Sequence, residues 1–293
     1  MDKRNFQHKL RLGIVGHGFV GKAVDYGFEH NTVEKFYVDP KYDTTIDDLI
    51  EWKPNLTFIC VPTPMNDDGS IDATMLYDSV FKLLSHNDGG IVIKSTATPV
   101  VIEKIVKKAG TLAKLKRIVY NPEFLTEKNA EEQFINPEFQ VLGGHNESTA
   151  AVQEAYRVHS IVNRCDFHHM GLLEASLVKY GLNAFLATKV IFFNQFYDVC
   201  ELTHSNFSIV TRAMAADSRI GNTHMKVPGY DKKRGYGGAC FPKDIKAFID
   251  FSMGSMSLLE SVDNINNEYR KDYEKDEREV AQNVNFRQTK EKQ

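Results

Sequence analysis

Few features place this chain outside ordinary globular proteins. It has four cysteines in 293 residues, Cys60, Cys165, Cys200 and Cys240, with no CxxC pair and no His/Cys spacing of the zinc type. That excludes a disulfide framework or a zinc module, and no metal centre is expected. Neither charge is in excess: 36 Lys and Arg against 39 Asp and Glu give a formal net charge of -3. Bulk attraction to nucleic acid or to an acidic membrane is therefore not expected. No uninterrupted apolar run approaches the ~20 residues of a membrane span, and "MDKRNFQHKLRL" has no signal-like apolar core. There is no internal repeat. The expectation is a protein of the reducing cytoplasm, with neither nucleic acid nor membrane as partner.

What the sequence does have is alternation. Apolar, strand-like runs "RLGIV", "KFYVD", "LTFIC", "IVIKS", "RIVY" and "FQVLGG" are separated by amphipathic stretches such as "TMLYDSVFKLLS" and "VVIEKIVKKAGTLAKL". Apolar strands spaced by helix-length segments predict an α/β fold, a Rossmann-like, doubly wound and mostly parallel sheet covered on both faces. "RCDFHHM" completes it, so residues 1–168 form the first domain. Residues 169–255 read as an all-helical central domain. Its long helix, "GLLEASLVKYGLNAFLATKVIFFNQFYDVCELTH", is apolar on more than one face and suits a core or a subunit interface. "FSIVTRAMAAD" and "PKDIKAFIDF" are expected to pack on it. Residues 256–293 read as a helical, charged tail that frays at its end.

"GIVGHGFVG" places Gly16, Gly18 and Gly21 in G-x-G-x-x-G register between a strand and a helix. Glycine there permits a tight turn, close backbone approach to a pyrophosphate and close helix–strand packing. Asp39 closes the second strand roughly twenty residues on, where a ribose-binding acid belongs. A carboxylate there repels a 2′-phosphate, which favours NAD over NADP. Thr63, Ser95, Thr96, Glu123 and Glu127 follow other strands at the carboxyl edge, where ligands of such sheets gather. Each alone reads as an ordinary helix cap or strand stop; together they mark a ligand edge.

"RGYGGACFPKD" supplies the chemical candidate. Pro242 suits a first helical position, so Cys240 stands near a helix N-terminus, where backbone N–H groups and Lys243 favour a thiolate. Asp244 is close enough in sequence to orient a hydroxyl or water beside the sulfur. The other three cysteines read as ordinary buried thiols. Lys179 and Asn183 share a face of the long helix, one turn apart. The lysine is either a partner for a developing oxyanion or a snorkelling side chain. Arg219 in "DSRIG" is a ligand contact or a plain salt bridge to Asp217. "DKKR", residues 231–234, either meets a diphosphate or is solvated surface.

These segments, with "VDP", "VPTP", "KSTATP", "NPEFLTE" and "KYGLNAFLATK", occur in the order of the UDP-glucose/GDP-mannose dehydrogenases, and from about residue 11 to residue 250 the chain resembles that family. "GGACFPKD" is nearer to its UDP-glucose-oxidising branch than to the GDP-mannose or N-acetylmannosamine patterns. The resemblance implies NAD bound at Gly16, Gly18, Phe19, Val20, Gly21 and Asp39, with Thr63 and Thr96 lining it. It implies Cys240 as nucleophile, Lys179 and Asn183 on the reacting oxygen, and Glu123 and Asp244 assisting proton transfer and hydrolysis. Phe124, Leu125, Glu127, Arg219 and Lys243 fall at substrate-binding positions, Arg219 reaching across a homodimer built on the long helix. The implied reaction oxidises UDP-glucose at C6, in two steps, to UDP-glucuronate through a thiohemiacetal and a thioester. Oxidation of GDP-mannose or another nucleotide sugar stays open, as does a non-catalytic nucleotide-binding role, because the family's third, UDP-binding domain has no counterpart after residue 250. Relatives commonly carry Glu at the position of Ser176.

Overall fold

The computed structural model describes residues 9–126 and 129–286. The chain divides into two units, residues 1–63 with 72–179 and residues 64–71 with 180–293. In the first, the order is β1 (Leu10–Val15), α1 (Phe19–Gly27), β2 (Val33–Val38), α2 (Ile46–Trp52), β3 (Leu56–Ile59), α3 (Thr74–His86), β4 (Gly90–Ile93), α4 (Pro99–Ala109), α5 (Leu112–Leu115), β5 (Ile118–Tyr120), α6 (Ala130–Ile135), β6 (Phe139–Gly144), α7 (Asn146–His159) and β7 (Asp166–Met170). The strands form one sheet, β2-β1-β3-β4-β5-β6-β7. Every pairing is parallel except β5 with β6. All seven expected strands belong to this sheet.

Burial on both faces explains why the central runs are almost wholly apolar. Ile59, Ile91, Ile93 and Ile118 enter one core, while Leu56, Phe58, Val92 and Val119 enter the other. A strand buried on both faces has no polar side to alternate with. One helical expectation needs correction: "VVIEKIVKKAGTLAKL" is two helices. Gly110, at φ +74, ends α4, and the Thr111 side chain caps α5.

The helix α8 (Leu172–Leu202) runs from the first unit into the second, which adds α9 (Phe207–Ala215), α10 (Phe241–Ser252), α11 (Ser257–Arg270) and α12 (Glu277–Ala281). Tyr180, Ala184, Ala187 and Ile191 of α8 form a core with Ile245, Phe248 and Ile249 of α10 and Leu259 and Val262 of α11. By length and composition α8 is long and apolar enough to cross a membrane, at mean hydropathy 1.2, a property a scan for uninterrupted apolar runs does not show. α9 touches α8 but is not buried by it. None of its residues is buried, Ile209 is 65% exposed, and Phe207 meets α8 through the ring of Tyr197. The charged tail also behaves differently from a fraying segment as far as residue 286. Arg270 and Glu279 are buried, Val284 is fully buried, and the Met65 N–H donates to the Gln282 carbonyl at 3.0 Å.

Candidate active site

The turn between β1 and α1 has the geometry its glycines demand. Gly16 is at φ +84, and a Cβ there would lie 2.7 Å from the Cys60 carbonyl oxygen. A Cβ on Gly21 would clash with the Gly16 carbonyl, so helix and strand approach as closely as backbone allows. Around Gly18, by contrast, no heavy atom lies within 4 Å of the point where a Cβ would stand, and α1 has no side-chain cap. An open glycine at an uncapped helix start, with Phe19 and Val20 opening the first turn, fits a pyrophosphate. Asp39, at the end of β2, accepts from the His17 N–H at 2.7 Å and the Lys41 N–H at 3.2 Å. Burial works to raise its pKa, but those two N–H groups and the Lys41 charge hold it lowered. It is therefore an anion at neutral pH. Thr63, at the edge beyond β3, donates its hydroxyl to the Thr96 carbonyl at 3.1 Å.

Still in the first unit, the end of β5 presents Glu123 against α8. Lys179 Nζ donates to the Glu123 carbonyl oxygen at 2.5 Å and to its Oε1 at 3.0 Å, with both residues buried. The carboxylate also accepts the Leu125 N–H at 2.7 Å. Burial alone would raise the Glu123 pKa; the Lys179 charge, with these hydrogen bonds, lowers it instead. Phe124 lies beneath the lysine, which sits 5.4 Å from its ring centre, and Leu125 is partly buried beside the second core. Ser176, one turn earlier on α8, donates to the Ala97 carbonyl at 2.7 Å.

Motif reading missed what lies behind Glu123. Lys94 Nζ donates to Asn121 Oδ1 at 3.2 Å, and the Tyr156 hydroxyl shares that oxygen at 2.8 Å. The Asn121 amide donates to Gln140 Oε1 and the Val141 carbonyl. Burial drives the Lys94 pKa down to about 8. The available signal was a lysine closing the wholly apolar strand "IVIKS".

In the second unit Cys240 is the N-cap residue of α10, with Pro242 in the first turn. The same turn holds a buried polar cluster: Asp244 accepts from Asn183 Nδ2 at 2.8 Å through one oxygen and from Lys243 Nζ at 2.6 Å through the other. The sequence-predicted Asn183, Lys243 and Asp244 thus lie together around the start of the helix that Cys240 caps. Cys60 behaves as an ordinary thiol, pushed by burial up to about 12.

Both parts of the chain match known proteins. Residues 42–160 match the NAD binding domain of the UDP-glucose/GDP-mannose dehydrogenase family, and residues 173–268 match its central domain. The chain belongs to that family. A UDP-glucose 6-dehydrogenase of Rickettsia typhi is 35% identical over 192 residues, 65% of this chain and 43% of that protein. The Bacillus subtilis UDP-glucose 6-dehydrogenase TuaD is 31% identical, covering 89% of this chain and 63% of its own. Thus the chain spans from under half to under two thirds of those relatives. A solved UDP-glucose dehydrogenase from Pyrobaculum islandicum superposes at TM-score 0.75 with 26% identity, covering 89% of this chain and 68% of that one. The family's NAD-binding match begins at residue 42, after the glycine turn and Asp39, so those residues rest on the geometry above.

Arg219 and the 231–234 loop make contacts of their own. Arg219 is exposed and forms a local ion pair with Asp217 at 2.6 Å. In residues 231–234, Asp231 accepts from Arg270 at 2.7 Å, and Arg234 pairs with Asp198 at 2.7 Å and stacks on Tyr269. Much of that loop is therefore committed to internal contacts. Glu127 lies outside the described residues.

Proposed function

We propose that the chain is an NAD-dependent dehydrogenase that oxidises UDP-glucose at C6 to UDP-glucuronate, with Cys240 as the covalent nucleophile. The observation that carries this reading is the buried Asn183–Asp244–Lys243 cluster at the start of the helix capped by Cys240. A nucleotide-binding protein with no chemistry has no need of a cysteine at the N-terminus of a helix whose first turn holds an oriented, buried carboxylate.

Gly16, Gly18, Phe19, Val20, Gly21 and Asp39 hold NAD, with Thr63 and Thr96 beside it; when bound, NAD supplies the hydride acceptor for both oxidations. The chain's own residues do the rest. Glu123 assists removal of the C6 hydroxyl proton as the alcohol becomes an aldehyde. The Cys240 thiolate then adds to the aldehyde carbon, and Lys179 and Asn183 stabilise the oxygen of the thiohemiacetal. Loss of a second hydride leaves a thioester. Water oriented by Asp244, with Glu123 taking its proton, attacks that carbonyl and releases the carboxylate and the Cys240 thiol. Phe124, Leu125, Glu127, Arg219 and Lys243 contact the sugar nucleotide.

The protein acts as a cytoplasmic homodimer through α8. In support, Phe185, Phe192, Val199 and Leu202 of α8 and Ile209 of α9 are all strongly exposed. The first three recur every seventh residue, the spacing of one helix face. A partner copy would cover that apolar stripe and the otherwise unburied α9.

The test is NADH formation by purified protein with UDP-glucose, GDP-mannose and UDP-N-acetylmannosamine as separate substrates. Turnover confined to UDP-glucose supports the proposal. Preference for either other sugar reassigns the substrate, and NAD binding without turnover of any of them overturns the catalytic reading.

A further inference from the structure

The glycine turn before Cys240 is held by side chains from three helices. Gly235 N–H donates to Asn194 Oδ1 of α8 at 3.0 Å, and Tyr236 N–H donates to Asn266 Oδ1 of α11 at 2.7 Å. Gly238 N–H donates to Glu279 Oε1 of α12 at 2.9 Å. From the carbonyl side, Arg270 Nη2 donates to Gly235 O at 2.9 Å while its Nη1 reaches Asp231 at 2.7 Å. Asn194, Asn266, Arg270 and Glu279 are all at most 2% exposed. Gly237 admits this approach because it has no side chain: a Cβ there would clash with Glu279 and Arg270.

Glu279 occupies a special place in this set. Its Oε1 holds the backbone two residues before the thiol, while its Oε2 accepts the Asp276 N–H at 3.0 Å in the capping box of α12. One carboxylate therefore closes its own helix and grips the turn. The segment it belongs to is tied down elsewhere, since Asn283 Nδ2 donates to the Met65 carbonyl at 2.9 Å and Val284 is fully buried.

We infer that Glu279, seconded by Arg270, is a positioning residue for Cys240, and that the segment 276–284 is a strap fixing the thiol at the start of α10. Its functional meaning rests on Cys240 being the nucleophile, as proposed above. The physical reason is that a turn with glycine at φ +71 (Gly235) and φ +81 (Gly238) has few constraints of its own. Without the carboxylate the Gly238 N–H loses its partner, the turn samples other conformations, and the thiol is no longer held in one place at the start of α10.

The test is the rate of Cys240 alkylation by iodoacetamide, read by peptide mass spectrometry at neutral pH, in the full chain and in E279A and E279Q. E279A slows alkylation of Cys240 by about tenfold, the effect of one unit in thiol acidity. The rates at Cys60, Cys165 and Cys200 stay as they were, which reports an intact fold. E279Q keeps an oxygen acceptor for the Gly238 N–H and restores the Cys240 rate to within about threefold. Unchanged Cys240 alkylation in folded E279A overturns the inference, as does equal slowing in both variants. Hydrogen exchange on the unsubstituted chain adds an arm that holds even where E279A does not fold: a protected Gly238 amide supports the strap, and one exchanging as in open chain overturns it. Because alkylation needs no substrate, these outcomes stand apart from turnover of UDP-glucose, whose absence would instead remove the catalytic reading.

Discussion

Among the described residues, two glycine-rich turns that each open a helix are stabilised in opposite ways. The turn at Gly16–Gly21 is self-contained. Gly16 and Gly21 are required by backbone atoms of the adjacent strand end, at Cys60, and of the same motif, at Gly16. The turn at Gly235–Gly238 has no such internal logic. Its N–H groups end on Asn194, Asn266 and Glu279, residues distant in sequence and on three different helices. A turn that binds a common cofactor works wherever a strand meets a helix. On the function proposed above, the second turn presents a nucleophile that must be held at one orientation, and side chains fixed in a core provide that rigidity.

Buried charge shows a similar contrast, and its removal has the largest expected effect on stability. K179M leaves Glu123 buried without its cation, costing about 3–5 kcal/mol in urea unfolding at neutral pH. The Glu123 pKa is lowered in the folded chain, so its contribution is present above the unfolded value of 4.5 and is lost as pH falls through the folded value. The deficit of K179M therefore closes in acid. A deficit that persists unchanged below 4.5 would mean that Lys179 stabilises by packing alone.

The glycine turn allows a finer division. G21A forces a methyl group onto the Gly16 carbonyl and is expected to cost about 1–3 kcal/mol in denaturant unfolding. G18A, at a position with nothing within 4 Å, changes stability by less than about 0.5 kcal/mol. Titration with NAD should nevertheless show it about tenfold weaker, because the added methyl occupies the approach of the pyrophosphate. Equal stability losses in the two variants would erase the distinction between a packing glycine and a ligand glycine.

An effect of opposite sign is expected at Lys94. Its pKa is about 8 in the fold against 10.5 ordinarily, so the folded chain holds fewer protons than the unfolded chain between those values. Stability accordingly rises with pH across that window, and below it the buried cation is a cost. K94M should gain about 1–2 kcal/mol at neutral pH and lose the rise between pH 8 and 10.5. A destabilised K94M would show that the bond to Asn121 outweighs the burial of charge.

How much of this was legible in the sequence follows from the same contrast. The central strands β3, β4 and β5 are the plainest to read, because they are buried throughout and almost wholly apolar. The first turn was equally plain, since its constraints lie within the motif. Lys179, Asn183, Cys240 and Asp244 were singled out, but the contact of Lys179 with Glu123 was not, since it joins α8 to the end of β5. Lys94 passed as a strand end. Glu279 and Arg270 lie in a segment that reads only as a helical, charged tail, because burial of a charge depends on partners that local composition does not reveal. The break at Gly110 and the exposure of α9 were missed for a simpler reason: amphipathic patterning marks a helix without saying where it stops or what covers it.

The central claim is that Cys240 carries the sugar between two oxidations. It is tested most directly by the yield of NADH from a limiting amount of UDP-glucose, measured with the unsubstituted chain and with C240S. The account predicts two NADH and one UDP-glucuronate per sugar from the former. C240S, which still binds NAD, should release no acid at a comparable rate and give at most one NADH per sugar. Two NADH per sugar from C240S, at the rate of the unsubstituted chain, would contradict it.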